Sequence, residues 1–172
     1  MSRFHRCIDF VLLEEGGLVN HPKDPGKLTK FGISQRSYPR LDIRRLTVAD
    51  AKAIYQRDFW DRIRGDALPV GLDLVVLDMA VNAGAVRAVQ LLQQIAGVAD
   101  DGHIGPITLA AIQGRPPADL IEAYSRLRLT YYRSLKHWPT FGEGWEARAQ
   151  RSRQMALALA LDHARPLPEA SA

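Results

Sequence analysis

The sequence predicts a mainly helical α+β protein: a helical bundle with one small β-hairpin near its N-terminus. Three observations carry this. Apolar residues recur at helical spacing along most of the 172 residues. Only residues 18–34 break that rhythm early, with Pro22, Pro25, Gly26 and Gly32 punctuating short β-prone stretches. Hydrophobic residues make up 47% of the chain, enough at this length for a packed core.

Each element has its own reason. Phe4, Ile8, Val11 and Leu12 place a first helix that Gly16-Gly17 ends. Leu18-Val19 and Thr29 to Ile33 are set to pair as the hairpin. Thr47 reads as an N-cap with Asp50 three residues on, a partial capping-box match that opens a helix through about Arg64. After a turn region from Gly65 to Leu72, the run Leu74 to Asn82 predicts a buried central helix. Val86 to Ile95 predicts another. Asp101-Gly102-His103-Ile104-Gly105-Pro106 is a turn feeding a short helix to Ile112, with Pro106 in its first turn. Two long helices, 118–135 and 143–164, complete the chain, separated by His137 to Gly142.

Composition narrows the function classes. A net charge of +4 favours an acidic partner, but no nucleic-acid-binding signature is present, so no nucleic acid is expected. The one cysteine, Cys7, excludes an internal disulfide and reads as a buried thiol. The five histidines lack the spacing of a zinc site, so neither metal nor cofactor is expected. The apolar run after Arg3 and Arg6 is broken by Asp9 and meets Glu14-Glu15 where a cleavage site would stand. It therefore reads as an amphipathic helix, not a signal peptide, and no stretch is long enough for membrane insertion.

The chemistry-bearing stretch runs from Glu15 to Ile33. A carboxylate ends a helix, Asp24 follows in a loop rich in glycine and proline, and Thr29 supplies a hydroxyl. Glycoside hydrolysis requires a protonated carboxylic acid to donate to the leaving oxygen, and an apolar setting favours that form. Glu15, after Val11-Leu12-Leu13, suits this role. A second group must steady the oxocarbenium-like centre or activate water, a role open to Asp24 with Thr29 beside it. The same residues also fit an ordinary solvated turn.

The pattern Glu-Gly-Gly, Asp-Pro-Gly, Thr, Phe-Gly-Ile resembles the signature of glycoside hydrolase family 108. These are N-acetylmuramidases found as phage endolysins and as bacterial secretion-helping muramidases. The blocks Tyr55 to Asp61, Asp78 to Gly84 and Asp101 to Pro106 extend the resemblance over nearly the whole chain. It implies a lysozyme-like fold that hydrolyses the β-1,4 bond between N-acetylmuramic acid and N-acetylglucosamine. Glu15 would be the general acid, and Asp24 and Thr29 would place or activate water. It also implies a catalytic region over 1–98 and a helical peptidoglycan-binding segment over 99–165 packed on it, while the terminal stretch 166–172 reads as a disordered tail. One position departs from the pattern: Lys27 stands where the family usually has glycine, and a positive φ there would cost lysine about 1–2 kcal/mol.

Tyr55 and Trp60 are candidate sugar-groove aromatics, with plain core as their alternative. Asn82 is either a hydrogen-bonder of N-acetyl groups or a satisfied buried amide. Asp78, a turn earlier, would orient it or cap a loop. Arg148, Arg151 and Arg153 give the last helix a basic side, either solvated or engaging anionic wall polymers. The expected partner is the peptidoglycan glycan strand, met by a monomer made in the bacterial cytoplasm. It would reach the periplasmic wall after lysis or by assisted export. Two rivals stand beside the muramidase: a lytic transglycosylase using the same Glu15, and a non-catalytic wall-binding or secretion-helper protein.

Overall fold

The computed structural model describes residues 2–16, 18–19 and 28–165. Asp24, Lys27, His21 and the tail 166–172 lie outside the described residues. The chain forms two compact units, 1–62 and 63–172, and its described residues hold seven α-helices and one small antiparallel sheet.

In the first unit, α1 (Arg3–Glu15) begins at Ser2, whose side chain accepts from the His5 N–H. It buries Phe4, Cys7, Ile8, Phe10 and Val11, the stripe expected of an amphipathic helix. The sheet has three two-residue strands rather than one hairpin. β1 (Leu18–Val19) pairs with β2 (Thr29–Lys30), which pairs with β3 (Ile33–Ser34). The expected single strand from Thr29 to Ile33 thus folds on itself at Phe31-Gly32, where both residues take positive φ.

The helix α2 (Val48–Tyr55) starts with a complete capping box, so the aspartate does what a glutamate usually does. Asp50 N–H donates to Thr47 Oγ1 at 3.2 Å, and Thr47 N–H donates to Asp50 Oδ2 at 3.0 Å. The helix ends well before Arg64, contrary to the sequence expectation. It widens into a π-turn over Gln56–Trp60, closed by Asp61 N–H onto Gln56 O at 2.9 Å. Arg64 itself adopts a left-handed backbone (φ 48°), which no helix continues.

The second unit is built around α3 (Leu72–Ala83), whose residues from Leu72 to Ala80 are all buried. A helix buried all round must be enclosed by others, and α3 packs with α4 (Ala85–Ala96), α6 (Pro117–Arg133) and α7 (Trp138–Ala164). Gly71 opens α3 at φ 88°, and a Cβ there would stand 2.3 Å from Ala156 O of α7. The turn before α5 (Pro106–Ile112) is tied by buried Gln93. Its amide donates to Asp101 Oδ1 (2.7 Å) and His103 O (3.0 Å), and its oxygen accepts from Gly102 N–H (2.8 Å). The helix α7 begins five residues earlier than the sequence predicts. Pro139 occupies its first turn, where no N–H is required, so His137 to Gly142 is no separator. No helix among the described residues is long and apolar enough to cross a membrane.

Candidate active site

Residues 4, 8, 11 and 15 stand on one side of α1, four and three positions apart. Phe4, Ile8 and Val11 are buried, so the same stripe carries Glu15 to the rim of the core, half-buried. Gly16 then ends the helix with φ 70°.

The β2–β3 turn closes against this carboxylate. Phe31 (φ 53°) and Gly32 (φ 75°) supply the two positive φ values that a tight two-residue hairpin needs. A Cβ on Gly32 would stand 2.6 Å from Glu15 Oε2 and 2.5 Å from Tyr55 Oη. Only glycine permits that approach. Tyr55 Oη donates to Phe31 O at 2.8 Å and so ties the turn to α2. Glu15, the turn and Tyr55 therefore converge at one place.

Thr29 lies on the strand entering the turn. Its neighbour Lys30 directs Nζ to Arg44 O at 3.2 Å, and strand alternation sends Thr29 to the opposite face. Beside the turn is an open apolar hollow of about 520 Å³ lined by Leu12, Leu13, Phe31 and Val48. Leu13 is 83% exposed there, an apolar wall of the kind a pyranose ring packs against.

Three other described carboxylates of this unit have structural partners. Asp9 pairs with Lys52 at 2.6 Å and Asp50 closes the capping box. Asp58 accepts from Tyr38 Oη at 2.7 Å and from Arg57, whose hydrogen bond holds its carboxyl below the usual range. Burial, and then the bond to Asp58, pushes the Tyr38 hydroxyl up to about 12. Among the described residues no group of three or more His, Cys, Asp or Glu stands placed to hold a metal.

The remaining sequence-predicted residues are distributed as follows. Trp60 is 1% exposed with its indole edge-on to Phe4 at 5.5 Å, so it presents no face to solvent. Tyr55 is 2% exposed and meets the site through its hydroxyl, not its ring face. Asn82 belongs to the second unit, where its amide donates to Asp78 O one turn back at 2.7 Å. The Asp78 carboxylate does not orient it. Fully buried, that carboxylate pairs with Arg128 (2.7 Å) and Arg148 (2.8 Å). Arg148 and Arg153 are thus not a solvated basic face: Arg153 is bound to Glu122 at 2.7 Å. Gly32 was missed as a site residue, although its place in the Phe-Gly-Ile motif marked it.

The family model for glycosyl hydrolase 108 matches residues 8–84, the segment that contains this site. A second model, described as a predicted peptidoglycan domain, matches residues 87–150. Among solved structures, that of Brucella abortus SagA is similar, with 37% identity and a TM-score of 0.85 over 94% of this chain and 98% of that one. No protein with a curated description matches. The chain belongs to the glycosyl hydrolase 108 family, and its two matched segments together support a role as a peptidoglycan hydrolase.

Proposed function

We propose that the protein is an N-acetylmuramidase that cleaves the β-1,4 bond between N-acetylmuramic acid and N-acetylglucosamine. Glu15 is its general acid. The observation that carries this reading is the seat of Glu15: at the core's rim, against the glycine of a hairpin turn, beside an open apolar hollow. A carboxyl so placed packs against the turn and stands beside the hollow that a sugar ring would occupy, as positioning of a general acid requires. In this scheme Glu15 protonates the leaving oxygen as the ring flattens toward an oxocarbenium-like state. Asp24 and Thr29 hold and activate the water that attacks from the other face, which inverts the anomeric centre. Tyr55 acts as a positioning residue, fixing the turn through Phe31 O. The protein works at the cell wall, reached after lysis or by assisted export.

The test is digestion of purified sacculi by wild type and Glu15→Gln, with mass spectrometry of the soluble fragments. Reducing-end muropeptides from wild type, and a loss of at least about 100-fold in the variant with its fold intact, are expected. Anhydro-ended products would make the enzyme a transglycosylase that uses the same acid. No soluble product from wild type would sink the hydrolase reading.

A further inference from the structure

We infer that the loop between β3 and α2 carries a binding site for an acidic peptide, built on Arg40, Leu41 and Ile54, and that its ligand is the peptide that branches from muramic acid in the wall. The inference deepens the muramidase reading and rests on it only for the source of the peptide.

The positive charge of the chain gathers on this loop. Residues 35–46 hold four arginines, Arg36, Arg40, Arg44 and Arg45, against the single Asp42, a local charge of +3 beside +4 for the whole chain. All four are exposed, and none has an ion pair among the described residues. Asp42 is turned to the backbone instead, accepting from Arg44 N–H at 3.1 Å. Like charges left together repel one another, so the pattern favours a partner of the opposite sign.

Arg40 stands beside an open, mostly apolar hollow of about 380 Å³ that Tyr38, Pro39, Leu41 and Ile54 also line. Arg57 reaches the same hollow, but its guanidinium is committed to Asp58 through two bonds of 2.7 Å. Arg40 is therefore the lining cation left for a ligand. The loop is already ordered. Gln35 donates to the carbonyls of Tyr38, Pro39 and Leu41, and Leu41 N–H donates to Tyr38 O at 3.1 Å. Little backbone freedom is left to lose on binding. The helix α2 joins this hollow to the candidate active site: Ile54 lines the one, and Tyr55, the next residue, holds the turn of the other through Phe31 O.

The pairing of an apolar hollow with a free guanidinium chooses the ligand. An uncharged sugar has no use for the guanidinium, and a phosphate polymer or an anionic lipid surface gains nothing from the hollow. A short peptide of alanine methyls and carboxylates uses both. Its methyl groups fill the hollow, and the planar guanidinium takes a carboxylate through two parallel bonds. In peptidoglycan such a peptide hangs from muramic acid, the sugar whose linkage the proposed reaction cuts.

The test is titration of the isotope-labelled full chain, followed by its backbone amide shifts, with the tripeptide L-alanyl-γ-D-glutamyl-diaminopimelate and with the same tripeptide amidated at its carboxylates. Wild type is expected to shift at Tyr38, Arg40, Leu41 and Ile54, and to bind the amidated peptide at least about fivefold more weakly. Arg40→Ala alters an exposed side chain, and circular dichroism checks its fold. It is expected to bind the acidic tripeptide about fivefold more weakly than wild type does. Absence of shifts at these residues, equal binding of the two peptides, or unchanged affinity in Arg40→Ala overturns the site. Phosphatidylglycerol vesicles that shift the loop where the tripeptide does not would mean a membrane-facing patch and also overturn it. The titration needs no turnover, so failure of the muramidase reading shows separately, as wild type that binds the tripeptide but releases no fragments from sacculi.

Discussion

Gly32 concentrates the chemistry of the candidate site into one missing atom. With φ 75° and Glu15 Oε2 and Tyr55 Oη both within 2.6 Å of where a Cβ would stand, any side chain must displace the carboxylate, the hydroxyl or the turn. Gly32→Ala is therefore expected to cost about 1–2 kcal/mol from the backbone alone. Its effect on sacculus hydrolysis should be larger than that strain, at least about tenfold, because misplacement of a catalytic group by a fraction of an ångström is costly. Urea unfolding and turnover measured side by side separate the two effects. A variant that loses stability but keeps its turnover would remove Glu15 and Tyr55 from a shared geometry. At this scale the sequence spoke clearly for Glu15, which ends a helix on the same stripe as Phe4, Ile8 and Val11. It spoke poorly for Trp60 and Asn82, because an aromatic or an amide in a helical pattern reads alike whether it faces ligand or core.

Elements show where local rules hold and where neighbours overrule them. The capping box at Thr47 and the proline-led start of α5 follow from residue type alone. The end of α2, with its π-turn over Gln56–Trp60, is not announced by residue type, and the left-handed Arg64 has a distant partner, donating from Nη1 to Ile104 O at 3.2 Å. The loop after β3 is tied in the same way. Gln35 donates to the carbonyls of Tyr38, Pro39 and Leu41, and Tyr38 donates to Asp58. The Tyr38 hydroxyl is pushed from 10 up to about 12, so its contribution to stability is present below pH 10 and lost as pH climbs toward 12. Half-exposed as it is, solvent screening keeps the effect small. Tyr38→Phe should flatten that part of the alkaline stability curve relative to wild type, read as the urea midpoint against pH. An unchanged alkaline slope in the variant would show that Tyr38 titrates as it does in the unfolded chain.

At the scale of the whole molecule, the second unit is organised around a buried charge. Asp78 is 0% exposed in α3, a mostly apolar helix, and gathers Arg128 from α6 and Arg148 from α7. Burial pulls the Arg128 guanidinium down, but Asp78 and Tyr132 more than reverse it, so it stays charged in the interior. Such a cluster selects one arrangement of three helices, because any other leaves a buried ion unpaired. Asp78→Asn should cost about 3–5 kcal/mol by leaving two arginines without a counter-ion, measured by urea unfolding. A loss below about 1 kcal/mol would mean that water already compensates the guanidinium groups.

Three things were determined by the sequence alone: the helical class, the early hairpin region, and the Glu15 motif with the family to which it belongs. They are local, written in period, caps and turn residues a few positions apart. Tertiary structure decided that β2 and β3 turn at Phe31-Gly32, that Tyr55 reaches that turn through its hydroxyl, that Arg148 pairs with the buried Asp78, and that Arg153 pairs with Glu122 at the surface. It also decided that α7 begins at Trp138. These depend on which distant groups meet. A positive φ or a buried carboxylate acquires its meaning only when the partner 24 or 70 residues away is in place.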